Sequence, residues 1–299
     1  LHMHSEHSDG VYRLEEISAI AIEKGLDFIA LTDHNTSSQN FQFQQYKNLI
    51  TIPGIELTTY HGHCNLFGVA DPIKDFRVLS DQEVKEKILE GKANGAKVSI
   101  NHPHDSNCPW EWTWDVDYDW VEVWNGPWRP GNERTLEWWQ SQLEEGKRII
   151  VVGGSDTHRP DPYVQHGMPT TWVYTDSPSE QGILSAIDKG NVFISYHPEG
   201  PMIDMKCGEA VMGETVTNPI EPINIRVDHI IEGDTIKIIS DKGIEFTYTC
   251  PAGQRWFSKQ LEIVDQQFFR VEVWRFFTEA NQMLMTALCN PLYITKKGR

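Results

Sequence analysis

The sequence lacks the marks of several large classes of protein. Its 26 Lys and Arg stand against 43 Asp and Glu, for a formal net charge of -17, and no basic run stands out. This argues against an extended surface for nucleic acid. The five cysteines are odd in number and contain no C-x-x-C pair, which argues against a disulfide framework or a cysteine-built zinc site. No apolar run approaches the roughly 20 residues of a membrane span, so no membrane partner is expected.

Two further absences concern chemistry and location. The G-x-S-x-G elbow of serine hydrolases does not occur, so nothing indicates a serine nucleophile. The chain starts at Leu1, inside a predicted strand, and a removed leader, tag or initiator methionine is compatible with this start. Localisation stays open, and the cytoplasm is favoured.

The first two thirds of the chain repeat one unit, a β-branched run and an amphipathic helix that ends at glycine. Predicted helices begin at Leu14, at the capping box of Ser80, at Asn132 as a cap, and at Ser177 with Pro178 as first helical residue. Strands alternate with them: FIALT, KVSI, WVEVWNG, RIIVV and VFISY. This alternation predicts an α/β fold with a parallel sheet, and candidate ligands at many strand ends predict that the sheet curls into a barrel.

The pattern changes near Gly200-Pro201. About eight short strand-like runs follow, separated by Gly, Asp, Pro or Asn turns, and no helical period continues. Such spacing predicts an antiparallel β-sandwich. We therefore expect two domains, a barrel over residues 1–200 and a smaller β-rich domain over residues 201–299, whose role is structural or lid-like.

Histidines and carboxylates stand where the predicted strands of the first domain end. A borderline ion such as Zn²⁺, Mn²⁺ or Fe²⁺ takes about four to six nitrogen and oxygen ligands. The candidates exceed what one ion needs, so we expect two to three divalent ions and a multinuclear hydrolase. The candidate ligands are His2, His4, Asp9, His34, Glu56, His63, His102, Asp156 and His158.

The motifs HMHSEHSDG, TDHN, PGIE, NHPH and GSDTH resemble those of the polymerase and histidinol phosphatase (PHP) superfamily. Its members are metal-dependent phosphoesterases with a distorted (β/α)₇ barrel. Within it, PGIELTTYHGHCNLFG and GSDTH resemble the branch named after carbaryl (aryl N-methylcarbamate) hydrolases. The resemblance covers roughly residues 1–200, and the later residues are similar only in being β-rich.

The resemblance implies three metal sites. The first would be held by His2, His4, Glu56 and Asp156, and the third by Asp9, His34 and His158. Glu56 would bridge to a second ion that His102 and one further residue hold. Many members of the superfamily place a histidine where this chain has Asn65, and His63, two residues earlier on the same strand face, is the predicted substitute.

Such a site implies hydrolysis by a metal-activated hydroxide that Glu56 helps to hold, with His104 or His166 protonating the leaving oxygen. The expected substrate is a small anionic phosphomonoester or phosphodiester. Trp110 and Trp112 either pack in the core or form a pocket wall for an aromatic leaving group. Two alternatives remain open: hydrolysis of a carbamate or carboxylic ester at the same site, and a binding module with a degenerate site.

Overall fold

The computed structural model describes residues 1–43, 46 and 48–296. The described residues form four α-helices: α1 (Leu14–Glu23), α2 (Asp81–Ala93), α3 (Pro130–Glu144) and α4 (Glu180–Asp188). The strands before residue 200 are β1 (Phe28–Leu31), β2 (Ile50–Thr59), β3 (Gly62–Phe67), β4 (Lys97–Ile100), β5 (Trp120–Asn125), β6 (Ile150–Gly154), β7 (Thr170–Val173) and β8 (Val192–Ser195). Later strands are β9 (Met202–Cys207), β10 (Ala210–Val211), β11 (Thr215–Thr217), β12 (Ile223–Asp228), β13 (Thr235–Ser240), β14 (Gly243–Thr249), β15 (Trp256–Leu261), β16 (Phe268–Phe277), β17 (Gln282–Cys289) and β18 (Leu292–Thr295).

The first sheet has the order β1-β2-β3-β4-β5-β6. The pairs β1–β2, β4–β5 and β5–β6 are parallel, as the alternating pattern predicts. The prediction of a wholly parallel sheet is wrong for β3, which runs antiparallel to both β2 and β4. Only Tyr60 and His61 separate β2 from β3, and so short a connection allows a hairpin but no crossover.

The first residues of the chain connect the two edges of this sheet. Met3 forms a parallel bridge with Thr157 just after β6. On the other side, the Thr32 N–H, just after β1, donates to the Met3 carbonyl at 3.0 Å. The sheet is therefore curled, and the N-terminal segment fills the gap at the carboxyl ends of β1 and β6.

The first residues of the helices agree only in part with the starts that the sequence predicts. The Ser80 side chain accepts from the Glu83 N–H, so α2 begins at the predicted cap. The predicted caps of α3 and α4 are wrong: Arg129 and Ser179 precede these helices. Asn132 lies in the first turn of α3, where its side chain bonds to both backbone groups of Asn125 at the end of β5. No helix in the described residues is long and apolar enough to cross a membrane.

Two mainly antiparallel sheets form most of the C-terminal part, in agreement with the predicted antiparallel strands. One has the order β10-β9-β12-β15, and the other β11-β18-β16-β17-β8-β7, with the hairpin β13–β14 joined to β16. Apolar side chains of both sheets share one core, including Ile225, Val227, Ile236, Val271 and Ala287.

Strands β7 and β8 precede residue 200 but belong to the larger of these sheets. β8 pairs antiparallel with β17. Phe268, Met285 and Leu288 also share a core cluster with Trp124 and Val152 of the first sheet. Both a sheet and a core therefore cross the predicted boundary, and the division at residue 200 stays a prediction.

Candidate metal centre

The predicted ligands come together where the strands of the first sheet end. Asp9 lies on the loop that follows the N-terminal segment, Glu56 lies within β2 and His63 within β3. The others either lie on the N-terminal segment or directly follow β1, β4 and β6: His2, His4, His34, His102, Asp156 and His158. His2 and His4 lie two apart on an extended chain, so both side chains face the interior of the curled sheet, where each is buried.

Glu56 is the centre of this group, and its side chain is 1 % exposed. Two histidines approach its Oε2 atom, His34 Nδ1 at 2.7 Å and His4 Nε2 at 3.5 Å. Three approach its Oε1 atom: His2 Nε2 at 3.3 Å, His63 Nδ1 at 3.2 Å and His102 Nε2 at 3.6 Å. A carboxylate between two sets of imidazoles is a geometry that suits a bridging ligand.

Two aspartates form further centres beside Glu56. Asp156 Oδ1 lies 3.0 Å from His4 Nε2 and 3.4 Å from His2 Nε2. Asp9 Oδ1 lies 3.3 Å from His158 Nε2 and 3.6 Å from His34 Nε2. Asp9 is 58 % exposed, so this side of the group faces solvent.

The donor atoms fall into three groups, each of a size that can hold an ion. One contains His2, His4 and Asp156, and a second contains His4, Asp9, His34 and His158. The third contains His63, His102 and Cys108. The first two groups overlap the first and third sites that the resemblance implies.

The carboxylates and imidazoles shift each other's protonation. Burial alone would raise the pKa of Glu56, but His2 and the hydrogen bonds from neighbouring histidines hold it well below its ordinary value. Burial alone would lower the pKa of His2, but Asp156, Glu122 and Glu56 raise it well above. Without an ion, the group is thus a network of buried opposite charges.

Divalent ions fit this donor set. The buried atoms His2 Nε2 and His63 Nδ1 have no hydrogen-bond partner among the described residues, although both face Glu56. An unpaired buried polar atom costs about 1–3 kcal/mol, and a bound cation would use these lone pairs. Imidazole nitrogen and carboxylate oxygen are the donors that Zn²⁺, Mn²⁺ and Fe²⁺ accept.

Left-handed backbone conformations orient the side chains of two candidate ligands. His102 has φ 30° and Asp156 has φ 53°, both in the left-handed region. These turns end β4 and β6 and direct the side chains toward Glu56 and His4. Gly154 is required for space, because a Cβ there would lie 2.3 Å from His2 Cβ.

Several polar residues beside the candidates were missed by sequence reasoning. Asn101 Nδ2 donates to Glu56 Oε1 at 2.8 Å, and Asn125 Nδ2 donates to Asp156 Oδ2 at 3.2 Å. Glu122 Oε1 lies 3.0 Å from His2 Nδ1. A signal existed in the sequence, since Glu122 and Asn125 interrupt the otherwise apolar strand WVEVWN.

Cys108 was also missed, because a single cysteine outside a C-x-x-C pair has no spacing that indicates a metal site. Its Sγ atom lies 3.6 Å from His102 Nδ1. Of the two candidates for the second site, His63 contacts Glu56, while the buried Asn65 Oδ1 has no hydrogen-bond partner among the described residues.

The two predicted proton donors lie outside the group. His104 Nδ1 is 3.2 Å from Thr135 Oγ1, and the ring stacks on Trp114. His166 is buried against the Tyr12 ring, and burial, together with Lys24, lowers its pKa to about 4. The described contacts of these two histidines include none of the predicted ligands.

The two loop tryptophans pack in the core. Trp110 and Trp112 are 6 % and 9 % exposed, in a cluster with Ile55 and Leu57. The Trp112 indole N–H donates to Thr59 Oγ1 at 2.9 Å. Neither ring is therefore free to form the aromatic pocket wall.

Three solved structures are distantly similar to the chain. An amidohydrolase from Chromobacterium violaceum is 15% identical, with a TM-score of 0.40 over 55% of this chain and 89% of the other. An assigned metal-dependent phosphoesterase from Bifidobacterium adolescentis is 16% identical, with a TM-score of 0.39 over 62% and 94%. A lesion-specific endonuclease from Pyrococcus furiosus is 14% identical, with a TM-score of 0.44 over 63% and 55%. Scores this low do not indicate an activity.

The chain is more similar to two matches found from its amino-acid sequence. Residues 1–93, which contain the motifs from His2 to His63, match the PHP domain family. An uncharacterized protein from Methanocaldococcus jannaschii is 30% identical over 148 residues, which are 44% of this chain and 83% of that protein. Residues 1–93 therefore carry a PHP domain, and the chain is a metal-dependent hydrolase.

Proposed function

We propose that the protein hydrolyses a small phosphomonoester or phosphodiester with two to three divalent ions held by the nine predicted ligands. One observation supports this above all: separate groups of donors surround Glu56 and Asp156 within a few ångströms. Several cations in one pocket suit a phosphoryl group, whose negative charge spreads over several oxygens in the transition state. A neutral carbamate or ester develops only one oxyanion and would leave much of that positive field unused.

In this proposal the nine predicted ligands form three metal sites. Glu56, His2, His4 and Asp156 would hold one ion, and Glu56, His63 and His102 would hold a second. Asp9, His34 and His158 hold an ion on the solvent side. Bound divalent ions would supply a Lewis acid and lower the pKa of water toward neutrality.

The two predicted proton donors differ in their surroundings. Burial and Lys24 lower the pKa of His166 to about 4, so its ring is uncharged at pH 7 and is a poor acid. Burial and Arg134 lower the pKa of His104 as well, but His104 is partly exposed and lies on the loop two residues after the predicted ligand His102. We therefore keep His104 as the proposed donor to the leaving oxygen.

Two finer placements belong to the same proposal. The curled sheet and its N-terminal segment are compatible with a distorted (β/α)₇ barrel, and GHCNLFG with the carbaryl-hydrolase branch. That branch motivates the runner-up, hydrolysis of a carbamate or ester. The buried Trp110 and Trp112 weaken the runner-up, since they provide no aromatic wall.

The test compares four substrates with one aryl leaving group: a phosphate, a phosphodiester, a carbamate and an acetate. Metal and pH are held constant, with Mn²⁺ and Zn²⁺ each tried. We expect one of the phosphate compounds to be cleaved fastest by a wide margin. Faster cleavage of the carbamate or acetate than of both phosphate compounds would establish the runner-up instead.

The control for this assay is Glu56→Gln. Loss of the bridging charge should lower turnover at least about 100-fold. A circular dichroism spectrum like that of the wild type would show an intact fold. Activity that survives the substitution would belong to a contaminant or to a site elsewhere.

A further inference from the structure

Glu122 is a buried carboxylate whose two oxygens are both used beside the metal centre. It lies in β5 and is 2 % exposed. Its Oε1 atom lies 3.0 Å from His2 Nδ1. Its Oε2 atom accepts from the His102 backbone N–H and from Asn125 Nδ2, each at 3.1 Å. None of the three donor groups in the described residues includes Glu122.

The contact with His2 decides which ring nitrogen faces the ions. When an ion takes the place of the second proton, a carboxylate next to Nδ1 favours keeping the remaining proton on that atom, which leaves the lone pair of Nε2 for the ion. His2 Nε2 is the atom that lies 3.3 Å from Glu56 and 3.4 Å from Asp156. Glu122 thus presents the free nitrogen of His2 to the first donor group.

Glu122 contacts the backbone of His102, not its side chain. The φ of 30° at His102 is strained for a residue with a side chain, and such a turn persists only where neighbouring groups hold it. Glu122 accepts the N–H at this turn, which would otherwise be buried without a partner. The turn directs His102 Nε2 to within 3.6 Å of Glu56 Oε1.

The fold leaves room for this carboxylate at Gly154. A Cβ there would lie 2.6 Å from Glu122 Oε1, so glycine in β6 is what admits it beside His2.

We propose that Glu122 is a positioning residue that aligns His2 and His102 and thereby couples the affinities of two neighbouring metal sites. This rests on the proposed metal centre. Removing this one buried carboxylate should lower the affinity of both sites for their ions, although Glu122 itself binds neither ion.

The test is Glu122→Gln, which keeps the size but not the symmetry of the acceptor. The amide has one oxygen, so an NH₂ group must face either His2 Nδ1 or the two donors on the other side. Metal-free protein is titrated with Zn²⁺ and with Co²⁺. We expect the affinity of two ions to fall about 10- to 100-fold and the Co²⁺ visible spectrum to change. Wild-type affinities with an unchanged spectrum would overturn the proposal.

The matched control is Glu272→Gln. Glu272 is also buried, and it bonds to Arg270 and Trp274 in β16. This variant should lose stability but bind Zn²⁺ and Co²⁺ as the wild type does. Equal loss of metal affinity in both variants would mean that Glu122 has only a structural role.

A second measurement needs no variant at Glu122. In Zn²⁺-loaded wild type with ¹⁵N-labelled histidine, the His2 signals, assigned with His2→Gln, should show a protonated Nδ1 and a ligated Nε2. The opposite assignment, or no ion in the wild type, would overturn the proposal. Tight metal binding without phosphoesterase activity would instead count against the proposed function and leave Glu122 in place.

Discussion

At the scale of single residues, Cys108 gives one donor group a different chemistry from the others. Its thiol, which was not among the predicted ligands, lies beside His102, while the predicted ligands are all imidazoles and carboxylates. Thiolate favours Zn²⁺ over Mn²⁺, because Mn²⁺ prefers oxygen donors. We expect Cys108→Ser to lower Zn²⁺ affinity about tenfold, as loss of a supporting group typically does, and to leave Mn²⁺ affinity nearly unchanged.

Competition with a chromophoric chelator measures both affinities. Cys250→Ser is the control, since the buried Cys250 thiol contacts the backbone oxygens of Pro251 and Gln254 and belongs to none of the three donor groups in the described residues. An equal fall for Zn²⁺ and Mn²⁺ would contradict the selective role of the Cys108 thiol.

His166 provides a pH dependence that is separate from the metal centre. Its pKa falls from an ordinary 6.5 to about 4 in the folded protein, because burial and Lys24 disfavour the charged ring. Its contribution to stability is therefore complete above about pH 6.5 and is lost as pH falls toward 4. The shift corresponds to about 3 kcal/mol.

His166→Gln removes this titration. Urea unfolding at pH 7 and at pH 4.5 should show a smaller loss of unfolding free energy in the variant than in the wild type. Equal losses in the two proteins would mean that His166 is already protonated at neutral pH or is solvated in the folded state.

Candidate ligands could be predicted from the sequence where two of them lie close together at the end of one strand. His2-x-His4 is readable because alternate residues of an extended chain share a face, and Asp156-x-His158 is readable because it directly follows a predicted strand. Glu122, Asn101 and Cys108 were not readable in this way. Their roles come from contacts between different strands and loops, which local spacing does not encode.

At the scale of elements, Asn290 joins β6 to the strands of the other sheet. Its side chain accepts from the Val151 N–H and donates to the Val151 carbonyl, both at 2.9 Å. It also donates to the Val192 carbonyl in β8 at 3.2 Å. One buried amide therefore supplies hydrogen bonds to backbone groups of both β6 and β8.

We expect Asn290→Ala to lower the free energy of unfolding by about 3 kcal/mol, because each unpaired buried group costs about 1–3 kcal/mol. Chemical denaturation measures this. The exposed Asn224 provides the comparison, and Asn224→Ala should stay within about 0.5 kcal/mol of the wild type. Similar losses in the two variants would show that the bonds of Asn290 contribute little.

Element type was predictable more often than element pairing. The periodicities located the four helices and the strands β1, β4, β5, β6 and β8. The direction of β3 was missed, although the two-residue turn at Tyr60-His61 already excluded a parallel connection. The caps of α3 and α4 were misplaced because Asn132 and Ser177 have favourable residue types, while tertiary bonds decide whether a side chain caps.

At the scale of the whole molecule, the strands β7 and β8 tie the first part of the chain to the last. A fragment of residues 1–200 would keep every predicted ligand but would leave the β8 edge without β17. It would also lose Phe268, Met285 and Leu288 from the core around Trp124. We expect this fragment to unfold without cooperativity, in contrast to the full chain.

Thermal unfolding followed by near-ultraviolet circular dichroism distinguishes the outcomes. A cooperative transition in the fragment, with Zn²⁺ binding like that of the full chain, would support two independent domains. The change of pattern near Gly200 was visible in the sequence. The pairing of β8 with β17 was not, because alternation shows which face of a strand is buried but not which strand lies beside it.

The bridge that the N-terminal segment makes has a consequence for biosynthesis. Met3 and Thr157 are more than 150 residues apart along the chain. At about 5–20 residues per second, a ribosome needs roughly 10–30 s between them. Until the end of that interval His2 and His4 are on the nascent chain without the carboxylate of Asp156, and for most of it they are also without that of Glu122. We therefore expect metal loading of these two histidines to follow translation of β6.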